Sequence, residues 1–97
     1  MTESEQRRQK NLALVQRAQS GDEAAKNEVV AQNMALVRSI AAHFKERGVD
    51  FEDLVQIGVI GMYRAVQSFD FSFKTAFSTY AVPLIVGEIR RYLRDDG

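Results

Sequence analysis

The chain has 97 residues, enough for one domain with a modest core. Hydrophobic residues make up 45% and charged residues 27%, and without cysteine there is no disulfide framework or thiolate metal site. With 13 basic and 13 acidic residues the formal net charge is zero, which argues against bulk electrostatic binding to nucleic acid; any such contact must be local or supported by a larger partner.

The N-terminal MTESEQRRQK is charged and lacks an apolar stretch, so it does not read as a signal peptide. No apolar run approaches the roughly 18 residues of a membrane span. A cytoplasmic protein is the expectation. Weak β-branched alternation and a single proline predict an all-α fold of four helices. The first runs from about Glu3 to Gln19, with Leu12, Val15 and Ala18 on one face. Ser20-Gly21-Asp22 ends it and opens the next. Glycine suits a left-handed exit, and Asp or Ser suits an N-cap. The second helix is predicted from about Asp22 to Arg47, where Val30, Met34, Val37, Ile40, Ala41 and Phe44 recur at helical spacing. Gly48 stops it, and Arg47 complements the negative end of its dipole.

The third helix is predicted from about Phe51 to Phe69. Leu54, Gly58, Gly61, Met62, Ala65 and Phe69 fall on one side. Each glycine costs roughly 1 kcal/mol relative to alanine in a helix, so close approach of a neighbouring backbone is expected there. The opposite side carries Asp53, Gln56, Ile57, Ile60, Tyr63, Arg64 and Gln67. That strip is apolar, edged with polar groups, on a side that should be solvated. It fits either a central helix buried all round or a partner surface. Asp70 to Thr75 is a short loop. The last helix is predicted from Phe77 or Ser78 to about Arg94, with Ser78 or Thr79 as its cap. Pro83 is comfortable only in a first turn, so the helix must start late or bend between Phe77 and Pro83.

No enzyme signature is present. His43 is the one histidine, mid-helix beside Phe44, and reads as a surface or packing residue. Asp95-Asp96 has no metal-site partner. Glu52-Asp53 supplies negative charge to a first helical turn. Gly58-Val59-Ile60-Gly61 lies inside a helix and lacks the preceding strand of a phosphate loop. No catalytic residue, cofactor or metal ligand is expected. The segment from Phe69 to Asp96 carries chemistry of another kind. Aromatics and hydroxyls (Phe77, Ser78, Thr79, Tyr80) precede a helix bearing Arg90, Arg91 and Arg94. Aromatic faces hold unstacked bases, and a cationic helix sits against phosphates. Aromatics entering a helix also serve as ordinary core.

Together these residues form a resemblance. DLVQIGVIGMYRAVQSFD at 53–70, followed by FSTYAVPLIVGEIRRYLRDDG at 77–97, resembles region 2 of the bacterial sigma-70 family. NMALVRSIAAHF at 33–44 is similar to the preceding part of that region. The VP, GEI, RR and LRDDG elements are most similar to the sporulation and general-stress branch of alternative sigma factors. The resemblance covers about residues 12–97 and implies a sigma-70 region 2 domain over 1–97. Residues 1–21 would be its N-terminal helix, and residues 22–97 its core-binding and −10-recognition helices.

The resemblance implies binding to core RNA polymerase, through a coiled coil of the β′ subunit, by Asp53, Gln56, Ile57, Val59 and Tyr63. It implies that Phe77, Ser78, Thr79 and Tyr80 hold the non-template strand of the promoter −10 element, with an adenine flipped from the stack. Leu84, Gly87, Arg90 and Arg91 would lie at or beside positions reading the upstream edge of that element, and Lys74 would be a further DNA contact. There are departures. Pro83 and Leu84 stand where housekeeping members have two tryptophans. Ala76 and Ala35 stand where many relatives have basic residues, so the charge facing the strand is reduced. The region that reads the −35 element is not in the chain, which is expected to be one domain of a longer factor. The implied function is promoter recognition and melting, with catalysis left to the polymerase. The rival reading is a helical protein-interaction module that binds an anti-sigma factor or another regulator without DNA readout.

Overall fold

Capping side chains set several helix boundaries. In the computed structural model, which describes residues 2–45 and 47–96, Thr2 Oγ1 accepts the Glu5 N–H (3.1 Å) and starts helix α1, Glu3–Gln19. Gly21 turns the chain at φ 103°. Asp22 then caps helix α2, Glu23–Gln32, by accepting the Ala25 N–H (3.1 Å), while its other carboxylate oxygen takes the Arg17 guanidinium (2.9 Å). The Ala25 N–H above all, and then Arg17, hold the Asp22 carboxyl below its usual pKa.

The single predicted helix from Asp22 to Arg47 is instead two. Asn33 interrupts it at φ −110°, ψ 15°. Its side-chain amide donates to the Val29 carbonyl (2.7 Å) and to Asn11 Oδ1 (3.0 Å). Val29 would accept the Asn33 backbone N–H in a continuous helix. That N–H turns to Val30 instead (3.0 Å), and the chain restarts as helix α3, Met34–Ala42. Helix α3 ends before Arg47: His43 and Phe44 donate to carbonyls three residues back, and Gly48 completes the turn at φ 81°. Asp50 accepts the Glu52 N–H (2.8 Å) and opens helix α4, Phe51–Ser68.

Helix α5, Phe77–Asp96, starts at Phe77 despite Pro83. The Tyr80 N–H donates to the Ala76 carbonyl (3.1 Å), so Ser78 and Thr79 lie within the first turn and do not cap it. The late start expected from Pro83 does not occur. Pro83 and Thr79, whose carbonyl loses its helical donor to the proline, are both exposed, so water can satisfy that carbonyl. The fold is all-α, with no strand among the described residues. No helix is long and apolar enough to cross a membrane.

The core gathers around α4. Leu54, Val55, Met62, Ala65 and Val66 of that helix meet Phe77, Ala81, Ile85 and Ile89 of α5. Helices α1 to α3 close it with Leu14, Val15, Val29, Val37 and Ile40. The close approach expected at the glycines is present. A Cβ on Gly61 would lie 2.6 Å from both Ile85 Cα and the Leu84 carbonyl oxygen, and one on Gly58 would lie 2.8 Å from Val37 Cγ1. Gln19 joins the far ends of α1 and α4 by donating to the Val66 and Phe69 carbonyls (2.9 Å each), two acceptors left over at the α4 terminus.

Gly61→Ala is therefore expected to destabilise the domain by about 1–3 kcal/mol, because rigid backbone stands where the methyl must go. Gly87, on the exposed side of α5, has nothing within 4 Å of a built Cβ. Gly87→Ala is expected to stabilise the helix by up to about 1 kcal/mol. Thermal melting of the two variants should shift in opposite directions.

Candidate functional site

Two surfaces emerge from the packing of α4 against α5. On α4, every residue expected to meet the polymerase lies outside the fully buried stripe. Asp53 and Gln56 are exposed, and Ile57, Val59 and Tyr63 are half-buried. The reading of α4 as apolar and buried all round is excluded by Ile60, a large apolar side chain 45% exposed at the middle of this strip. Ile60 was visible in the strip but not among the residues implied by resemblance. On one flank, Tyr63 faces α2: its hydroxyl lies 3.5 Å from Asn27 Oδ1, and Lys26 Nζ sits 5.3 Å from its ring centroid. Glu23 holds that ammonium (2.8 Å) and raises its pKa. On the other flank, Ile57 and Ile60 border a groove whose far wall is Glu88, Arg91 and Tyr92 of α5.

The second surface is the start of α5 with the loop before it. The aromatic residues there divide into core and rim. Phe77, expected among the DNA-facing residues, is 1% exposed and belongs to the core. Its ring meets Phe69 edge-on at 5.6 Å. It anchors the segment and offers no free face. Tyr80 is half-buried, with its ring edge-on to Phe69 at 5.4 Å and its hydroxyl 2.7 Å from Ser68 Oγ. Ser68 Oγ donates to the Arg64 carbonyl (2.8 Å), which leaves it an acceptor for the tyrosine. Phe73, 51% exposed, tilts toward Tyr80 with centroids 6.3 Å apart. Sequence reasoning placed Phe73 only in a loop; its proximity to Tyr80 depends on the turn at Asp70.

Farther along α5, Thr79, Pro83, Gly87, Arg90 and Arg94 share one exposed side, while Ser78 and Leu84 are half-buried. Arg90 and Lys74 are exposed and make no ion pair among the described residues. Arg91 is less free. Glu88, only 8% exposed, takes Arg91 (2.9 Å) and Arg64 (2.6 Å), one on each carboxylate oxygen. This clamp across α4 and α5 was not legible beforehand. The spacing of Glu88 to Arg91 hints at half of it, but Arg64 is 24 positions away.

A groove of about 400 Å³ adjoins the start of α5. Arg7, Arg8, Gln32, Ala35, Ala76 and Ser78 are among its walls. The two cations come from α1, to which sequence reasoning gave no site.

Residues 29–97 match the family model for sigma-70 region 2. The chain belongs to the sigma-70 region 2 family. It is similar to an RNA polymerase sigma-F factor of Priestia megaterium, 50% identical over 84 residues that cover 87% of this chain and 33% of that protein. It is similar to an RNA polymerase sigma-G factor of Bacillus subtilis (strain 168), 49% identical over 76 residues, 78% of this chain and 29% of that protein. An RNA polymerase sigma-B factor of Bacillus anthracis is 40% identical over 86 residues, 89% of this chain and 33% of that protein. The chain thus spans about a third of the length of these curated relatives. The expected relation to sporulation-type sigma factors holds.

Within this region 2 domain, the loop that carries Phe71 and Phe73 is shaped by Asp70. Its Oδ1 accepts both the hydroxyl (2.7 Å) and the backbone N–H (2.8 Å) of Ser72. These two donors, the hydroxyl first, hold the Asp70 carboxyl below its usual pKa. A depressed carboxyl stabilises the fold at pH above its unfolded value of about 3.9, and that contribution disappears as pH falls through the lower folded value. Faster amide exchange at Ser72 and Phe73 is expected on acidification through that window, and at neutral pH in Asp70→Asn. Protection in the α4 and α5 core should persist in the variant at neutral pH.

Proposed function

We propose that this chain is the core-binding and −10-reading domain of an alternative sigma factor that acts in the cytoplasm. Residues 1–21 form its N-terminal helix, and residues 22–97 carry the binding surfaces. The observation that carries this reading is the α4 strip. In a domain whose core is complete without them, Ile57 and Ile60 remain accessible between polar flanks. Such a strip suits a helical partner, with apolar anchors at the centre and a polar rim. Asp53, Gln56, Ile57, Val59 and Tyr63, with Ile60, are assigned to the β′ coiled coil of the polymerase. The relatives' designations as RNA polymerase sigma factors support that partner.

Tyr80, Ser78 and Thr79 are assigned to the non-template strand, with Phe77 holding them from inside the core. Unpairing and unstacking a base cost a few kcal/mol, and stacking on an aromatic returns roughly 1–3 kcal/mol. Leu84, Gly87, Arg90 and Arg91 face the upstream edge of the element, and Lys74 lies beside the strand. Arg90 is the stronger candidate of the two arginines, because Glu88 already neutralises Arg91. The domain is not an enzyme; the polymerase supplies the chemistry.

Two variants test the two surfaces separately. Gln56→Ala with Ile57→Asp is expected to abolish capture of the β′ coiled coil while the domain still melts cooperatively. Retained capture by that folded variant would overturn the polymerase assignment. Tyr80→Ala in complex with polymerase is expected to reduce promoter opening about 5- to 150-fold, the equivalent of one lost stacking partner. Tyr80→Phe keeps the ring, loses the bond to Ser68 and should still open promoters. Normal opening by a folded Tyr80→Ala protein removes the melting role. Polymerase binding without any affinity for single-stranded −10-like DNA would favour a purely protein-binding module.

A further inference from the structure

The groove beside the start of α5 contains a feature that the family match does not reach. Its cations, Arg7 and Arg8, lie on α1, outside the matched residues 29–97. They are the charged side chains of a lining that otherwise consists of serines, amides, alanines, Leu36 and Phe77, with no carboxylate. Both are exposed, and neither makes an ion pair among the described residues.

Their position is fixed by core packing. Asn11 lies four residues after Arg7 and three after Arg8, so all three share one side of α1. The buried amide bond from Asn33 to Asn11 (3.0 Å) locks that side onto the α2–α3 junction. One turn farther on, Leu14 and Val15 enter the core. The same side of α1 is thus apolar where it covers the core and cationic where it overhangs the groove. The opposite wall is Ala76, Phe77 and Ser78, the entry to the proposed strand-binding segment. Ala35 and Ala76 leave the rest of the groove uncharged, and Lys74 is not among its walls.

We propose that Arg7 and Arg8 bind the phosphate backbone of single-stranded DNA as it passes the start of α5, so that α1 supplies the cationic wall lacking at Ala35 and Ala76. This inference rests on the proposed DNA-reading function and names the residues that hold the strand on its far side. Two guanidiniums facing a groove with no competing carboxylate match successive phosphates, whose contacts are independent of base sequence.

The test is the salt dependence of binding of a fluorescent dT15 oligonucleotide to the full chain, measured by anisotropy. Two lost single-strand phosphate contacts should reduce the slope of log affinity against log salt by about 1.4. From roughly 50 to 200 mM salt, the wild type should then lose about 7-fold more affinity than Arg7→Ala/Arg8→Ala. Arg7→Lys/Arg8→Lys should keep the slope, because lysine retains the point charge. Ala35→Arg in the double-alanine background should restore part of it from the same groove. Both arginines are exposed, so melting should be unchanged in all variants. An unchanged slope in the double-alanine variant overturns the inference alone if Tyr80→Ala still weakens dT15 binding. No binding of wild type to dT15 at the lowest salt, with or without polymerase, overturns the inference and the DNA reading together.

Discussion

The geometry of this domain depends on how closely α5 lies on α4. At Gly61 the α5 backbone, at Leu84 and Ile85, occupies the space of a side chain. Such an approach is open only to glycine and makes the helix pair a rigid unit, because backbone cannot retreat as a side-chain tip can. Both proposed surfaces belong to this unit. The outer side of α4 carries the apolar strip, and the start of α5 carries Tyr80. The Glu88 clamp spans the same seam and holds Arg64 and Arg91 in register. A partner seated on α4 therefore acts on the same rigid body as a strand seated on α5.

The aromatic cluster at the α4–α5 corner is divided by depth. Phe69 and Phe77 are buried, Tyr80 lies at the boundary, and Phe71 and Phe73 are exposed. This gradient suits a surface that must stay folded while exchanging one stacking partner for another. Buried rings keep the corner in place whether or not a base is present. Ser68 bonds the Tyr80 hydroxyl and so orients the ring without covering its face completely. Removal of the Phe77 ring would act through folding, whereas the Tyr80 ring can be tested for function, since less of its area is committed to the core.

Helix α1 is attached by a different means. Its apolar contribution to the core is small, chiefly Leu14 and Val15. Polar bonds give it register: Asn11 with Asn33 at one end, and Gln19 with the Val66 and Phe69 carbonyls at the other. Hydrogen bonds in a low-dielectric setting are directional, so they fix rotation about the helix axis as well as distance. That rotation carries Arg7 and Arg8 to the groove. The Asn33 bond that breaks the predicted second helix is also the bond that orients the first.

The sequence by itself determined the features governed by neighbours within a few positions. Gly21, Asp22 and Gly48 marked chain reversals because φ and capping preferences are local. The two sides of α4 followed from a period of about 3.6 residues. The resemblance in residues 53–70 and 77–97 pointed to the family before any contact was known. Tertiary structure decided the rest. Helical spacing puts Phe77 and Tyr80 within one turn of each other, but only packing against Phe69 made one core and the other rim. Asn33 broke its helix through Asn11, 22 positions away, and Glu88 found Arg64 across the α4–α5 seam. Pro83 was tolerated because its side of α5 faces solvent. In each case the deciding partner is distant in sequence, and local preferences of about 1 kcal/mol yield to burial and polar pairing of comparable or larger size.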